Sequence, residues 1–279
     1  MVAVTLMWST AGVITRQLEQ ARSFEVTFWR SFFTLASLLV ILPLFQGREV
    51  FGKIRHGGPA LWISGLCWGV MFTAFMLALT LTSVASVLVT LAVGPLLTAL
   101  LARVFIGHRI APRTWLAIVA AGAGIAYMYG TQLGEGQLAG TLVALCVPVA
   151  SAVNWTVTQR SHARGHNVDL VPSVLVGALL SCVATLPLAM PLQASALDVG
   201  LLAMLGLVQL AIPCTLSVFC ARVLEAPEMA LLGLLEVIFG ILLAWLGAGE
   251  APSQAVLAGG ALVIGALVVN ELVGWRQKA

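Results

Sequence analysis

Apolar residues fill long, nearly uninterrupted stretches of the chain, and short polar connections separate these stretches. Most stretches hold about 20 residues, which is the length of α-helix that crosses the hydrocarbon core of a bilayer. The pattern predicts an all-α integral membrane protein. The predicted membrane spans are residues 1–18, 26–45, 59–80, 84–106, 114–130, 138–159, 170–190, 197–220, 228–248 and 254–274.

Two regions of the chain follow the same plan. Residues 78–108 and 220–250 each contain a short turn, then small and β-branched residues, then a break in hydrophobicity at Gly94-Pro95 or at Glu236-Val237. A Leu-Leu-Ala sequence and a closing Gly follow in both copies. Aligned identities are few, so the repeat rests on pattern more than on identity. An internal repeat in a membrane chain is typical of transporters.

The repeat divides the chain into two halves, residues 1–133 and 134–279, each with five predicted spans. Because five is an odd number, the second half enters the membrane from the opposite side to the first. The prediction is therefore ten transmembrane helices, arranged as two inverted five-helix repeats around a central cavity. A pseudo-two-fold axis in the membrane plane relates repeats of this kind.

The distribution of Lys and Arg predicts the orientation of the chain. With a cytoplasmic N-terminus, the inner connections and the C-terminal tail carry 11 of the 14 basic residues, and the outer side carries three. The inner residues are Arg48, Lys53, Arg55, Arg103, Arg109, Arg113, Arg160, Arg164, Arg222, Arg276 and Lys278. The outer residues are Arg16, Arg22 and Arg30. Since cytoplasmic connections are enriched in Lys and Arg, both termini are expected in the cytoplasm.

Composition supports a membrane protein and argues against several other classes. Apolar residues make up 60% of the chain and charged residues 9%, whereas a soluble domain carries roughly 25% charged residues. No basic patch with interleaved aromatic residues suggests nucleic acid as a partner. The five Cys residues lie in apolar stretches and are interpreted as small packing residues, so no metal or cofactor is expected.

The sequence offers little support for an enzyme. It contains no Ser-Lys or His-Glu-x-x-His pattern, no paired intramembrane Asp residues and no phosphate-binding Gly loop. His162 and His166 have the i, i+4 spacing that metal sites use. They fall in a predicted cytoplasmic loop, however, so a solvated connection is the favoured interpretation.

Polar residues inside predicted spans are few, and each is a candidate for function. Glu236 lies about two turns into the ninth span, where an ionised carboxylate needs a partner or water. It is either a proton or substrate-amine site or a structural carboxyl group that bonds to a neighbouring helix. Pro213, like Gly94-Pro95, interrupts a span and frees a backbone carbonyl at depth. The remaining polar candidates are Ser9, Thr10, Asn154 and Gln209.

Aromatic and Met side chains provide candidate walls for a binding site. Trp8 and Trp155 lie beside the polar candidates of the first and sixth spans. The third span carries a stripe of Met71, Phe72, Phe75 and Met76, which is either a packing or lipid-facing surface or part of the wall. Such a pocket suits small amphipathic solutes. Arg30 is expected near the outer surface, so no Lys or Arg is expected mid-membrane and phosphates would fit poorly.

Several motifs together resemble the drug/metabolite transporter superfamily, and in particular its EamA-type ten-helix exporters. The resemblance rests on Met7-Trp8-Ser9-Thr10, Phe28-Trp29-Arg30, the 78–85 turn, Gly94-Pro95 with Gly107-His108, Ala226-Pro227 through Glu236 to Gly249-Glu250, and the Gly-rich segment 259–265. The chain looks similar to the bacterial aromatic amino-acid exporter branch. Family members usually have Gly-Glu at both repeat ends, and this sequence departs from them at Gly107-His108.

The resemblance implies a function as well as a fold. It implies export of amino acids, especially aromatic ones, and related metabolites across the bacterial inner membrane by alternating access. It also implies a cavity lined by the first, third, fourth, sixth, eighth and ninth helices, and a homodimer or support role for the fifth and tenth. Export of drugs or other metabolites is an alternative, and a channel is a further one.

Overall fold

The computed structural model describes residues 1–47, 49–106, 112–130, 135–163, 169–220, 223–224, 232–233 and 235–278. Within these ranges the regular structure is helical, with no strand. The helices are α1 (Val2–Thr15), α2 (Ser23–Gln46), α3 (Val50–His56), α4 (Gly58–Leu81), α5 (Val84–Leu91), α6 (Gly94–Ile106), α7 (Pro112–Gly130), α8 (Glu135–Ala163), α9 (Pro172–Ala189), α10 (Ala196–Met204), α11 (Ile212–Cys220), α12 (Leu235–Ala248) and α13 (Gln254–Lys278). A π-helical segment, Leu205–Ala211, joins α10 to α11.

Seven segments of the described chain are long and apolar enough to cross a membrane. They are Ser23–Gln46, Gly58–Leu81, Val84–Leu101, Leu138–Ser161, Pro172–Ala189, Ala196–Cys220 and Gln254–Gly274. Three shorter apolar helical stretches, Val2–Thr15, Trp115–Gly124 and Leu235–Ala248, overlap the other predicted spans. The predicted class, an all-helical membrane protein, is confirmed at this level.

The helices differ from the predicted spans in three places. A short helix, α3, occupies a connection where none was predicted, and its Val50 is buried. The fourth predicted span is two helices, because α5 ends at Leu91 and α6 begins at Gly94. The eighth predicted span contains the π-helical segment, and Pro213 is the second residue of α11, which follows it. Since Pro213 has no backbone N–H, it cannot bond to the carbonyl four residues earlier. The predicted 225–228 turn and Gly107-His108 lie outside the described residues.

The helices of both halves of the chain pack against one another around the interior of the bundle. Helix α4 packs against α8 and α9, and α2 packs against α9 and the π-helical segment. Helix α1 packs against α12, α11 and the π-helical segment, while α8 packs against α5 and α6. Helix α5 also packs against α12, and α7 packs against α13. Helices α1, α4, α5, α6, α8, α11 and α12 thereby surround a common interior.

Close helix contacts are made where a residue has no side chain. A Cβ atom on Gly240 of α12 would lie 2.4 Å from a methyl carbon of Leu88 on α5. A Cβ atom on Gly206 of the π-helical segment would lie 2.6 Å from Phe33 Cβ and 2.9 Å from the carbonyl oxygen of Arg30, both on α2. Small residues permit such close approach between helices in membranes. The contact at Gly206 determines the position of α2 beside the central cavity.

Candidate functional site

A cavity of about 160 Å³ lies in the common interior of the bundle. One buried water needs only about 10–15 Å³, so the cavity has room for a solute. Its lining comes from α1, α2, α4, α5, α6, α8, the π-helical segment, α11 and α12. Most of that lining is apolar, and the polar groups are few. Pockets of this character hold small organic molecules.

The largest part of the wall is one face of α4. Trp68, Met71, Phe72 and Phe75 line the cavity at positions i, i+3, i+4 and i+7, which is the spacing of a single helix face. The Trp68 and Phe72 rings are 5.5 Å apart between centroids. Across from this face, Trp155 of α8 meets Trp68 edge to face at 6.3 Å. The cavity is therefore enclosed by a cluster of mutually packed rings.

The structure places most of the predicted site residues on the cavity wall. Of the aromatic candidates, Trp8, Phe72, Phe75 and Trp155 line it. The polar candidates Gln209 and Glu236 line it too, as do Gly94 and Pro95 at the start of α6.

The other predicted residues lie outside the cavity lining. Ser9 and Thr10 donate hydrogen bonds to backbone carbonyls of their own helix, each at 2.7 Å. Met76 is fully buried in the packed core, because it follows Phe75 by one residue and so faces another side of α4. The buried Asn154 accepts a 2.6 Å hydrogen bond from Ser64 and joins α8 to α4.

The remaining predicted positions are Pro213 and the pair His162 and His166. Pro213 is buried in α11 and shapes the π-helical segment rather than the cavity surface. The side chains of His162 and His166 lie outside the described part of the structure.

The location predicted for Arg30 is wrong. Arg30 is the eighth residue of α2, which begins at Ser23, so it lies roughly 10 Å along the helix axis from that end. Its side chain is 2% exposed and lines the cavity. It does not extend to the surface, because α2 contacts the π-helical segment closely at Gly206. The cavity wall therefore carries a basic residue, contrary to the prediction, and this residue can bind an anionic group of a solute.

Gln209 fixes the position of the Arg30 guanidinium. The Nε of Arg30 donates to Gln209 Oε1 at 3.1 Å, and Gln209 Nε2 donates to the carbonyl oxygen of Trp8 at 3.3 Å. Arg30 also lies over the Phe75 ring, with 5.6 Å between the guanidinium carbon and the ring centroid. Gln209 belongs to the π-helical segment, and π-helical turns are frequent at functional sites. The sequence contains both Arg30 and Gln209, but it does not show that they form a hydrogen bond with each other.

The exposure of the lining residues differs between the two ends of the cavity. Met1 and Gly233, at one end, are partly exposed. Phe75 and Leu88, towards the other end, are 7% and 2% exposed. Among the described residues, the end of the cavity that carries Met1 therefore includes partly exposed lining residues.

Arg16 and Glu250 form a polar cluster just beyond the buried end. Arg16 Nε donates to Glu250 Oε2 at 2.5 Å, and its other two nitrogens donate to the carbonyl oxygens of Leu79 and Thr82 at 3.1 and 2.8 Å. Glu250 Oε1 accepts from the Val84 amide at 2.7 Å. The cation thus lies at the C-terminus of α4 and the anion at the N-terminus of α5, which suits both helix dipoles. We name these five residues the Arg16–Glu250 latch.

Comparison with known proteins gives a family match for the first part of the chain and a similar fold for nearly all of it. The EamA-like transporter family matches residues 1–130 of the chain. A crystal structure with 20% sequence identity aligns over 99% of this chain and 96% of its own, with a TM-score of 0.66. At that identity the likeness concerns the fold alone. A search of curated proteins finds no match.

Proposed function

We propose that this protein is a membrane transporter that exports amino acids and related small amphipathic metabolites, because residues 1–130 match the EamA-like transporter family. Aromatic amino acids are the preferred substrates in this proposal. The single observation that carries it is the cavity in the middle of the bundle, which is walled by Trp8, Trp68, Phe72, Phe75 and Trp155. Rings of this kind bury a large apolar side chain, while the few polar groups orient the rest of the solute.

The proposed architecture is ten transmembrane helices in two inverted repeats, residues 1–133 and 134–279. The helix packing supports it. In the inverted repeat, α4 corresponds to the span that contains the π-helical segment and α11, and α8 corresponds to α1. The contact of α4 with α8 therefore has its counterpart in the contact of α11 and the π-helical segment with α1. Helix α9 corresponds to α2, so the contact of α4 with α9 has its counterpart in the contact of the π-helical segment with α2. Helix α12 corresponds to α5 and α6, so the contact of α1 with α12 has its counterpart in the contact of α8 with α5 and α6. All these pairs occur, as a pseudo-two-fold axis requires.

The proposed mechanism is alternating access between the two faces of the bacterial inner membrane, with both termini in the cytoplasm. The excess of Lys and Arg on one side supports this orientation. With the termini inside, the Arg16–Glu250 latch lies on the outer side and the partly exposed residues Met1 and Gly233 lie on the inner side. The bundle then corresponds to an inward-facing state that is closed outside. The breaks at Gly94-Pro95 and Pro213 are the proposed hinges.

Glu236 is the proposed proton-coupling residue. It is a half-buried carboxylate on the wall of the cavity, and a proton antiporter needs a titratable group that faces each side in turn. With Glu236→Gln, we expect the stimulation of amino-acid exchange by a pH gradient to disappear. If the gradient has no effect on the unaltered protein either, the transporter is a facilitator and Glu236 has no coupling role.

Counterflow of labelled amino acids in proteoliposomes tests the proposed function. We expect saturable uptake of labelled tryptophan, phenylalanine or tyrosine, and an apparent affinity about tenfold weaker for Trp155→Ala, which removes one ring from the wall. Trp115→Ala is the matched control, because Trp115 is exposed on α7 and lies outside the lining. Transport of other metabolites or drugs alone would refute amino-acid export, and continuous conductance without saturation would indicate a channel.

A homodimer is part of the proposal. Helices α7 and α13, which pack against each other, are the fifth and tenth spans and are the proposed contact surface. Crosslinking between single Cys residues introduced on α13 tests it, and a protein that remains uncrosslinked in the bilayer would contradict it.

A further inference from the structure

The cavity contains one positive and one negative side chain that do not pair with each other. Arg30 and Glu236 both line it. Among the described residues, however, no ion pair within 4.0 Å joins them. Two opposite charges that line one cavity without pairing with each other are complementary to a ligand that carries both charges itself.

Arg30 has hydrogen-bonding capacity that the protein does not use. A guanidinium has five N–H donors, and in the described residues only Nε has a partner, Gln209. Both terminal nitrogens therefore remain available on a side chain that is 2% exposed. Their fork matches the two oxygens of a carboxylate. Because Gln209 and the Phe75 ring hold the group in place, little freedom is lost when a ligand binds.

Glu236 is the complementary group. Among the described residues its carboxylate forms no hydrogen bond and no ion pair. It belongs to the first turns of α12, which packs against α1 and α5 on the cavity side. A buried carboxylate needs a cation or hydrogen-bond donors. A primary ammonium provides both at once, with three N–H groups and a positive charge.

We propose that the cavity binds an α-amino acid as a zwitterion, with the carboxylate on Arg30 and the ammonium on Glu236. The inference rests on the proposed export of amino acids, and it assigns the part of the substrate that every amino acid shares. The side chain then lies against the rings of Trp68, Phe72 and Trp155. In this arrangement the two charges select amino acids as a class, and the rings select among them.

The physical basis of the selection is that each half of the zwitterion satisfies one protein charge. A ligand with an ammonium but no carboxylate leaves Arg30 without a partner, and a carboxylic acid without an amine leaves Glu236 without one. A buried charge that loses its partner is strongly unfavourable. We therefore expect each missing charge to weaken binding about tenfold or more, in line with hydrogen bonds to charged groups.

A competition experiment tests this assignment. Counterflow of labelled tryptophan is measured in proteoliposomes while unlabelled tryptophan, tryptamine or indole-3-propionate competes. All three share the indole ring, but tryptamine lacks the carboxylate and indole-3-propionate lacks the amine. Tryptophan is expected to compete best, about tenfold or more better than either analogue.

Variants of the two charged residues sharpen the test. With Arg30→Gln, the advantage of tryptophan over tryptamine is expected to disappear, because the carboxylate has lost its partner. With Glu236→Gln, the advantage over indole-3-propionate is expected to disappear. Binding to Arg30→Gln should thus not depend on the ligand's carboxylate but should still depend on its ammonium, and the reverse should hold for Glu236→Gln. This is the result expected for a coupled pair in a double-mutant cycle. Arg22→Gln and Glu19→Gln are matched controls, because both residues are exposed.

The possible outcomes separate this inference from the function on which it rests. If tryptophan is transported and both analogues compete as well as unlabelled tryptophan does, zwitterion recognition is refuted and amino-acid export stands. If no amino acid is transported, the proposed function fails and the inference fails with it. Arg30→Lys, which retains the charge and loses the fork, replaces Arg30→Gln if the latter does not fold. It is expected to retain part of the preference over tryptamine, and an unchanged preference would refute the bidentate contact.

Discussion

Opening of the cavity at its buried end, the outer end in the proposed orientation, should require the Arg16–Glu250 latch to break, because the latch joins the ends of α1, α4, α5 and α12. The free energy needed to break the latch can be estimated from its contacts. The side chains of Arg16 and Glu250 are 30% and 22% exposed, so their ion pair contributes about 1 kcal/mol at most. The two hydrogen bonds from Arg16 to backbone carbonyls contribute about 1 kcal/mol each at this partial exposure.

Two substitutions therefore differ in their expected effect. Glu250→Gln removes the ion pair and weakens the bond from the Val84 amide, a loss of about 1.5 kcal/mol. Arg16→Gln removes the ion pair and both carbonyl bonds, a loss of about 3 kcal/mol. Since 1.4 kcal/mol is a factor of ten in a population, the outward-open state should increase about tenfold in the first variant and about a hundredfold in the second.

The assay is the rate at which a membrane-impermeant maleimide, added from the outside, labels a single Cys at Leu91 on the cavity wall. The five native Cys residues are first replaced. While the outward-open state is rare, the labelling rate is proportional to its population. Arg22→Gln, an exposed charge change on the same side, is the control. Unchanged rates in both latch variants, with unchanged thermal stability, would show that the latch does not hold the outer side closed.

Two further predictions concern stability rather than transport. Gly177→Ala should lower the melting temperature, at a cost of about 1–3 kcal/mol, because its Cβ would lie 2.3 Å from Trp68 Cβ; Gly200→Ala, with open space around its Cβ, should not. Asn154→Ala should cost about 1–2 kcal/mol, since it removes the hydrogen bond from Ser64, and the affinity for substrate should be unchanged. Loss of transport affinity without loss of stability would instead place Asn154 in the binding site.

The sequence predicted the helical spans better than the faces of the helices. Runs of apolar residues determine where a chain can cross the membrane, so the spans overlap the helices of the structure. The face of α4 was less well predicted. The sequence predicts a stripe of Met71, Phe72, Phe75 and Met76 at positions i, i+1, i+4 and i+5, whereas the cavity face begins at Trp68 and leaves out Met76. The i, i+3, i+4, i+7 spacing of a helix face would have selected Trp68 and excluded Met76.

Arg30 illustrates what the sequence could not provide. Its distance along α2 depended on where the helix begins, which was predicted three residues too late. Its burial depends on the contact between α2 and Gly206, which joins residues far apart in the chain. The one available signal was chemical, because an Arg inside a membrane needs a partner and Gln209 was already a polar candidate. Asn154 shows the opposite case, in which a polar residue within a span binds another helix.

Recognition of a zwitterion by Glu236 also predicts how pH affects binding. One carboxylate cannot carry a proton and neutralise an ammonium at the same time, so substrate amine and proton compete for Glu236. The other titratable or charged groups that line the cavity are Arg30, Cys214 and the Met1 amino group. As the pH falls, protonation of the Glu236 carboxylate increases, and tryptophan should lose more affinity than indole-3-propionate does. In Glu236→Gln the loss should disappear. A loss that persists in this variant would mean that another group titrates, and that proton and substrate do not share this site.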